Sequence, residues 1–384
     1  MEYEIKTGDC IDVMKTMPDE CVDTIITSPP YWGLRDYGGG GKVWGGDPEC
    51  NHEWEGYTRP SENTRNNDNS LQLKSAYWEP QEQAFCEHCD AWFGQLGLEP
   101  NPEQYVKNMV EVFREARRIL KPEGTLWLNL GDSYVGGGRG FQYSKEGTIQ
   151  KSYIDAGVRY GAPTGKIEGL KPKDLVGVPW RVAFALQADG WWLRQDIVWA
   201  KPNCMPESVT DRCTKSHEYV FMLTKSKHYY FDHEAIKEPT KGGASTKRPA
   251  KEQTFRYGDD DSWAVEGDRD RIMKAKGIAE ARTKDYAKRN KRSVWWVGPK
   301  PFKEAHFAVF PIELIEPMVL AGCPQDGTVF DPFGGSGTTA VTALKHGRSA
   351  IISELNEDYV EIARNRIEGF RREVGIDKTN VEWL

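Results

Sequence analysis

The chain has 384 residues, 38% of them hydrophobic and 28% charged, with a formal net charge of −7. That length allows one large domain or two to three smaller ones, and no apolar run approaches the length of a membrane span. Met1 to Cys10 lacks the features of a signal peptide, so the composition excludes a membrane protein and leaves the cytoplasm as the expected location.

In chain order, Tyr3–Lys6 reads as a short strand ending in Gly8-Asp9-Cys10, and Ile11–Met17 as a helical turn. Val22–Thr27 is β-branched and nearly uninterrupted, the pattern of a strand buried on both faces. It stops at Ser28-Pro29-Pro30-Tyr31, because two prolines cannot continue a central strand. From Gly38 to about Gly97 periodicity disappears, which marks an insertion. Asn101-Pro102-Glu103 starts a helix along which Val106, Met109, Val110, Phe113, Ala116 and Leu120 recur at helical spacing. Lys121-Pro122-Glu123-Gly124 ends that helix, and Thr125–Leu130 is a second buried strand. Gly136 to about Leu170 is a Gly-rich polar loop.

Pro179–Ala188 reads as a helix, and Leu193–Trp199 and Glu218–Thr224 as strands. Ile312–Leu320 is helical, Thr328–Phe330 a short strand, Thr338–His346 a helix, Ser349–Ser353 a strand and Asn356–Arg372 a closing helix. Alternating strands and helices predict an α/β fold, a parallel sheet with helices on both faces. The charge is uneven: Glu234–Lys300 carries 17 Lys/Arg against 11 Asp/Glu, a local +6 that leaves −13 on the rest. A basic segment on an acidic body suits docking to a polyanion through one part only; a solvated loop of mixed charge explains the same composition.

Three segments carry chemistry. Val329–Thr339 (VFDPFGGSGTT) is a strand, a Gly-rich turn and a helix start, where close backbone approach and unpaired N–H groups receive an anion. Glu354 ends the next strand, 19 residues after Gly335, where a carboxylate can accept two ribose hydroxyls. No Lys follows Gly337 and G-x-G-x-x-G is missing, which argues against a phosphate-binding P-loop and a nicotinamide site. Alone, the turn is a weak signal and is better read as a plain tight turn.

The Ser28-Pro29-Pro30-Tyr31 loop supplies what methylation of an exocyclic amine requires. That amine is a poor nucleophile because its lone pair is delocalised into the ring. The Ser28 hydroxyl and a prolyl carbonyl offer two acceptors that draw it toward a tetrahedral, nucleophilic state, and the prolines fix the carbonyl geometry. Tyr31 can stack on a base turned out of the duplex. Alone, the loop is better read as a proline-rich strand terminator. The third segment is Cys50-Asn51-His52 with Cys86-Glu87-His88-Cys89. C-x-H followed by C-x-x-C gives Cys50, His52, Cys86 and Cys89 as a structural zinc set, with His88 as a competing ligand and a pair of surface thiols as the plainer reading.

Thr27-Ser28-Pro29-Pro30-Tyr31 and Asp331-Pro332-Phe333-Gly334-Gly335-Ser336-Gly337-Thr338-Thr339, in this order, resemble the amino-group-specific (N4-cytosine/N6-adenine) DNA methyltransferases of the beta arrangement. Gly8-Asp9-Cys10, Trp199–Asn203, His217-Glu218-Tyr219 and His306–Pro311 resemble further segments of that family, so the likeness spans most of the chain. It implies a Rossmann-like S-adenosylmethionine-dependent methyltransferase fold with circularly permuted motif order. Residues 1–37 and 98–233 are then the catalytic half, 38–97 the zinc-bearing insertion, 234–300 the target-recognition region and 301–384 the cofactor half.

Carried over, the resemblance places Asp9, Cys10, Phe310 and Pro311 at the cofactor adenine. It places Asp331, Phe333, Gly335, Gly337 and Thr338 at the methionine end, Glu354 at the ribose, and Ser28, Pro29, Pro30 and Tyr31 at the target base. Ser before Pro-Pro-Tyr leans to cytosine N4, with adenine N6 as the alternative. A 5-carbon cytosine enzyme attacks through a Cys after Pro, whereas Cys323 precedes Pro324. A DNA-binding module on the same fold is the reading of a different class, and the intact loops count against it. Double-stranded DNA is the implied partner. A homodimer and a companion restriction endonuclease are left open.

Overall fold

The computed structural model describes residues 1–33, 41–54, 84–135, 169–239, 288–300 and 310–375. Residues 136–168 of the expected Gly-rich loop, the interior of the insertion over 55–83, most of the basic segment and His306 to Val309 lie outside the described residues. The chain divides into a body, Met1–Asp232 with Ser293–Leu384, and a second unit, His233–Arg292. Of the second unit, the described part holds one antiparallel pair, β9 (Glu238–Pro239) with β10 (Lys288–Arg289), where Glu238 accepts from both Arg289 and Arg292.

The body is built on an eight-stranded sheet. In chain order its strands are β1 (Tyr3–Thr7), β2 (Val22–Thr27), β6 (Leu120–Leu130), β7 (Trp192–Ala200), β8 (His217–Thr224), β11 (Val294–Trp296), β12 (Thr328–Asp331) and β13 (Ser349–Glu354). Their spatial order is β1-β13-β12-β2-β6-β8-β7-β11. All pairings are parallel except the two made by β8, which runs against both β6 and β7. The sheet is therefore mixed rather than wholly parallel, because β8 inserts as a hairpin partner between β6 and β7.

Two helical layers cover it. On one face α1 (Cys10–Thr16), α2 (Pro102–Ile119) and α3 (Val178–Ala188) pack in succession; on the other lie α4 (Ile312–Gly322), α5 (Thr338–Lys345) and α6 (Glu357–Glu373). The alternation in β6 shows why. Leu126, Leu128 and Leu130 join the core under α2, while Thr125 and Trp127 face Gly322 of α4, at which a Cβ would lie 2.5 Å from the Trp127 indole nitrogen. The α2 start forms as its sequence dictates: Asn101 Oδ1 accepts from Gln104 N at 2.7 Å, and Pro102 sits where its missing N–H costs nothing. No helix among the described residues is long and apolar enough to cross a membrane.

The insertion is not independent of this core. Its three-stranded antiparallel sheet, β3 (Lys42–Trp44), β5 (Trp92–Gly94) and β4 (Ala84–Phe85), sends Trp44 and Trp92 into the main hydrophobic cluster. A second difference from the sequence reading is β11. Val294–Trp296 falls inside the segment expected for target recognition, yet it is the edge strand of the main sheet, parallel to β7.

Candidate active site

Strand β12 passes through α5 to β13 on one side, and β2 passes through α2 to β6 on the other. The connections thus diverge between β12 and β2, and in open α/β sheets the carboxyl ends of the strands at such a switch point are where ligands bind. Both motif loops emerge there, although 300 residues separate them in sequence. One carboxylate ties them together. Asp331, fully buried at the end of β12, accepts from Thr27 Oγ1 at 2.7 Å, from Phe333 N at 3.0 Å and from Thr339 Oγ1 at 2.6 Å. Burial pushes its carboxyl up to about 6 against these hydrogen bonds. Asp331 is thus enclosed by the loops it joins, and it shapes the turn from beneath.

The Gly-rich turn follows. Gly335 and Gly337 have positive φ, at 49° and 75°, and a Cβ at Gly334 would stand 2.8 Å from the Ile352 Cβ, so close packing on β13 requires glycine there. Glu354 Oε2 accepts from Gly335 N at 2.8 Å and Oε1 from Asn356 N at 2.9 Å, and burial raises its carboxyl. Thr338, buried, accepts from Arg366 at 2.7 Å. Phe333 is half-buried against the core. Gly8 N donates to Glu354 O at 2.9 Å, which brings Asp9 and Cys10 to the same edge. Asp9 caps α1 and pairs with Lys42 of the insertion at 2.7 Å, while Cys10 is buried beneath it. Phe310 and Pro311 stand at the start of α4, Pro311 buried and Phe310 half-exposed.

At the end of β2, Ser28 Oγ donates to the Tyr31 hydroxyl at 3.1 Å. The Tyr31 hydroxyl lies 2.9 Å from both Asn129 Oδ1 and Glu218 Oε2. Glu218 Oε1 forms an ion pair with Lys201, whose ammonium lies 4.1 Å over the Trp199 ring. The Tyr31 ring packs on the backbone of Gly131, where a Cβ would approach it to 2.6 Å. Tyr105 OH donates to Pro30 O at 2.9 Å, whereas among the described residues no donor reaches Pro29 O. Of the two prolyl carbonyls, that of Pro29 is the free acceptor.

Sequence reasoning missed the groups behind this loop: Asn129, Glu218, Lys201, Tyr105 and Glu99. Glu218 and Lys201 stood in segments that resembled the family, but no local pattern assigned them a role. Glu99 buttresses the loop from beneath. Its backbone carbonyl accepts from Trp32 Nε1 at 3.0 Å, and its carboxylate accepts from Gly97 N and Asn108 Nδ2, both at 2.9 Å. Burial pushes that carboxyl from 4.5 up to about 7. A raised carboxyl binds its proton more tightly in the folded chain, so this stability is present below pH 4.5 and lost as pH rises through 7. At about 1.4 kcal/mol per unit the loss is about 3 kcal/mol. Glu99→Gln is expected to remove this component, and urea denaturation of both proteins across pH 5 to 8 measures it as the difference between their slopes.

In the insertion, the ligand atoms of Cys50, His52, Cys86 and Cys89 all lie within 4.8 Å of one another. Cys50 Sγ stands 3.8 Å from Cys86 Sγ, and Cys89 Sγ 3.4 Å from His52 Nδ1. Tetrahedral zinc with bonds of about 2.3 Å to sulfur and about 2.0 Å to nitrogen separates its ligands by about 3.8 Å and about 3.5 Å, so the set fits that ion. His88 N donates to Cys86 Sγ at 3.4 Å, as in a metal knuckle, while the His88 ring faces Glu53 at 3.3 Å. Cys323 lies at the opposite, amino end of the strands, beside Asp23 and Arg348, and burial pushes its thiol up to about 12. Neither its place nor its protonation suits a nucleophile.

The family model described as DNA methylase matches residues 22–365, nine-tenths of the chain. The chain belongs to that family. It is 38% identical over 364 residues to the type II methyltransferase M.SmaI of Serratia marcescens, covering 95% of this chain and 90% of that one. It is also 38% identical over 362 residues to the type II methyltransferase M.Cfr9I of Citrobacter freundii, covering 94% and 86%. Among solved structures it superposes on the cytosine-N4-specific PvuII DNA methyltransferase with a TM-score of 0.51 and 15% identity, over all of this chain and 89% of that one. The match is in fold. The methyltransferase fold and the permuted order of its two motifs are those that the sequence implied, and this member of the DNA methylase family is an enzyme that acts on DNA.

Proposed function

We propose that the chain transfers a methyl group from S-adenosylmethionine to the exocyclic amine of a base flipped out of duplex DNA, and that the base is cytosine, methylated at N4. The observation that carries this reading is the Thr27–Asp331 hydrogen bond, which fixes the amine-activating loop beside the cofactor turn at one switch point. The N-terminus of α5 past Gly337 would hold the methionine carboxylate, Glu354 the ribose hydroxyls and Asp9, Phe310 and Pro311 the adenine of S-adenosylmethionine, which would supply the methyl group. Ser28 Oγ and Pro29 O accept hydrogen bonds from the two amine N–H groups, and the amine nitrogen attacks the methyl carbon in line. The C–S bond breaks with its electron pair on sulfur. No protein nucleophile takes part. Ser28 in place of an acidic residue supports cytosine.

The Cys50, His52, Cys86 and Cys89 set holds a structural zinc in this reading, which keeps the insertion folded and supplies nothing to methyl transfer. The basic segment within 234–300 reads the target sequence, and the type II names of the relatives support a companion endonuclease acting at the same site. The test is transfer of tritiated methyl from S-adenosylmethionine to unmodified duplex DNA. Wild-type protein should label the DNA, and Ser28→Ala should lower the rate by about 10²-fold or more. Failure to label several unrelated genomic DNAs would remove the catalytic reading.

A further inference from the structure

The amine-activating role of Ser28 demands a direction that the residue itself does not fix. A hydroxyl both donates and accepts, and Ser28 serves the amine only if its own proton is committed elsewhere. The chain behind it supplies that commitment. Ser28 Oγ stands 3.1 Å from the Tyr31 hydroxyl, and that hydroxyl stands 2.9 Å from Glu218 Oε2. Glu218 comes from β8, next to β6, and its second oxygen is ion-paired with Lys201 of the β7 end.

The two groups behind the phenol both accept, Glu218 Oε2 as a carboxylate and Asn129 Oδ1 as an amide oxygen, so the phenol donates its one proton toward them and can only accept from Ser28. Asn129 leaves that direction unchanged, because its Oδ1 faces the phenol while its amide nitrogen donates to Tyr219 O at 3.0 Å and faces Glu218 Oε2 at 3.3 Å. Every bond then points one way, from amine to Ser28 to Tyr31 to the Glu218–Asn129 pair, of which only the Glu218 carboxylate can take up a proton.

We propose that Glu218 is the positioning residue that polarises this chain, turning the Ser28 lone pairs toward the target amine, and that it receives the proton released by methylation. The inference rests on the methyltransferase reading given above. As the nitrogen–carbon bond forms, the nitrogen becomes cationic and gives one proton to Ser28 Oγ. Ser28 passes its own proton to the Tyr31 oxygen, and Tyr31 passes its own to Glu218 Oε2, which ends as a neutral acid and returns the proton to water after product leaves. Nothing is oxidised or reduced, and the methyl sulfonium supplies the only other bond change.

The chain is tested by a double-mutant cycle on the full-length protein with Tyr31→Phe and Glu218→Gln. Both substitutions keep shape; Gln replaces an obligate acceptor by a group that can donate to the phenol and reverse the chain. Each single variant should lower kcat by about 10²-fold, while Kd for S-adenosylmethionine and KM for DNA change by less than about threefold. The double variant should be no slower than the slower single one, since the links act as a unit. Multiplicative losses in the double variant, or a Glu218→Gln kcat within about threefold of wild type, would overturn the proposal. So would Glu218→Gln losing cofactor and DNA binding in parallel with its rate, which marks a merely structural residue. If the wild-type protein methylated no DNA, the functional reading would fail first; methylation that survives Glu218→Gln removes only this inference.

Discussion

Asp331→Ala is expected to destabilise the protein by roughly 3–5 kcal/mol and to weaken S-adenosylmethionine binding by an order of magnitude or more. The side chain holds three donors in a site without exposure: the Thr27 and Thr339 hydroxyls and the Phe333 amide. Removing it strands all three, each at about 1–3 kcal/mol, and releases the β2 loop from the β12 turn. Asp331→Asn separates charge from geometry. Its carboxamide oxygen still accepts from Thr27 and Phe333, and the Thr339 hydroxyl can turn to accept from its amide. Because burial raises the Asp331 carboxyl from 3.8 to about 6, the part of its stability that is linked to its proton is present below pH 3.8 and lost as pH rises through 6, while its three hydrogen bonds remain. At pH 8 the neutral Asn should therefore lie within about 1 kcal/mol of wild type. Urea denaturation and calorimetric titration with S-adenosylmethionine give both quantities. An Asn variant as unstable as the Ala variant would show that the charge, not the hydrogen-bond pattern, holds the loops together.

Cys86→Ser should reduce bound zinc from about one per chain to near zero and lower the melting temperature by roughly 5–10 °C. The four ligands come from both ends of the insertion, and its described strands are two or three residues each, too short to hold themselves. The effect reaches past the insertion because Trp44 and Trp92 pack in the main core and Lys42 pairs with Asp9, at the edge proposed above for the cofactor. Exhaustive chelation of the wild-type protein should give the same fall. Elemental analysis of the purified protein and thermal denaturation of each form measure the two effects, and a metal-free protein with unchanged melting would remove the structural zinc.

How much was legible in the sequence follows from how local each signal is. Val22–Thr27 is bounded correctly at both ends because burial on both faces writes an unbroken β-branched run and the two prolines stop it. The Gly-rich turn was legible because positive φ at Gly335 and Gly337 restricts the residue type. The insertion strands were not, since two- and three-residue strands have no period to read. The same brevity hid Val294–Trp296, in which only Trp295 is buried.

In β6 the strand starts at Leu120, five residues before the expected Thr125, because Leu120 pairs with Val22 across an irregularity that the Lys-Pro-Glu-Gly run disguises as a turn. The network behind Ser28 was illegible for another reason. Asn129 and Glu218 meet through the β6–β8 pairing, 89 residues apart, so their chemistry exists only after the sheet forms.

Mass spectrometry of nucleosides released from unmodified duplex DNA, after incubation with the protein and S-adenosylmethionine, decides both the reaction and the base. The account predicts N4-methylcytosine. N6-methyladenine would keep the chemistry of the Ser28 and Asp331 loops and contradict the choice of base, and DNA left without either modification would contradict the account as a whole.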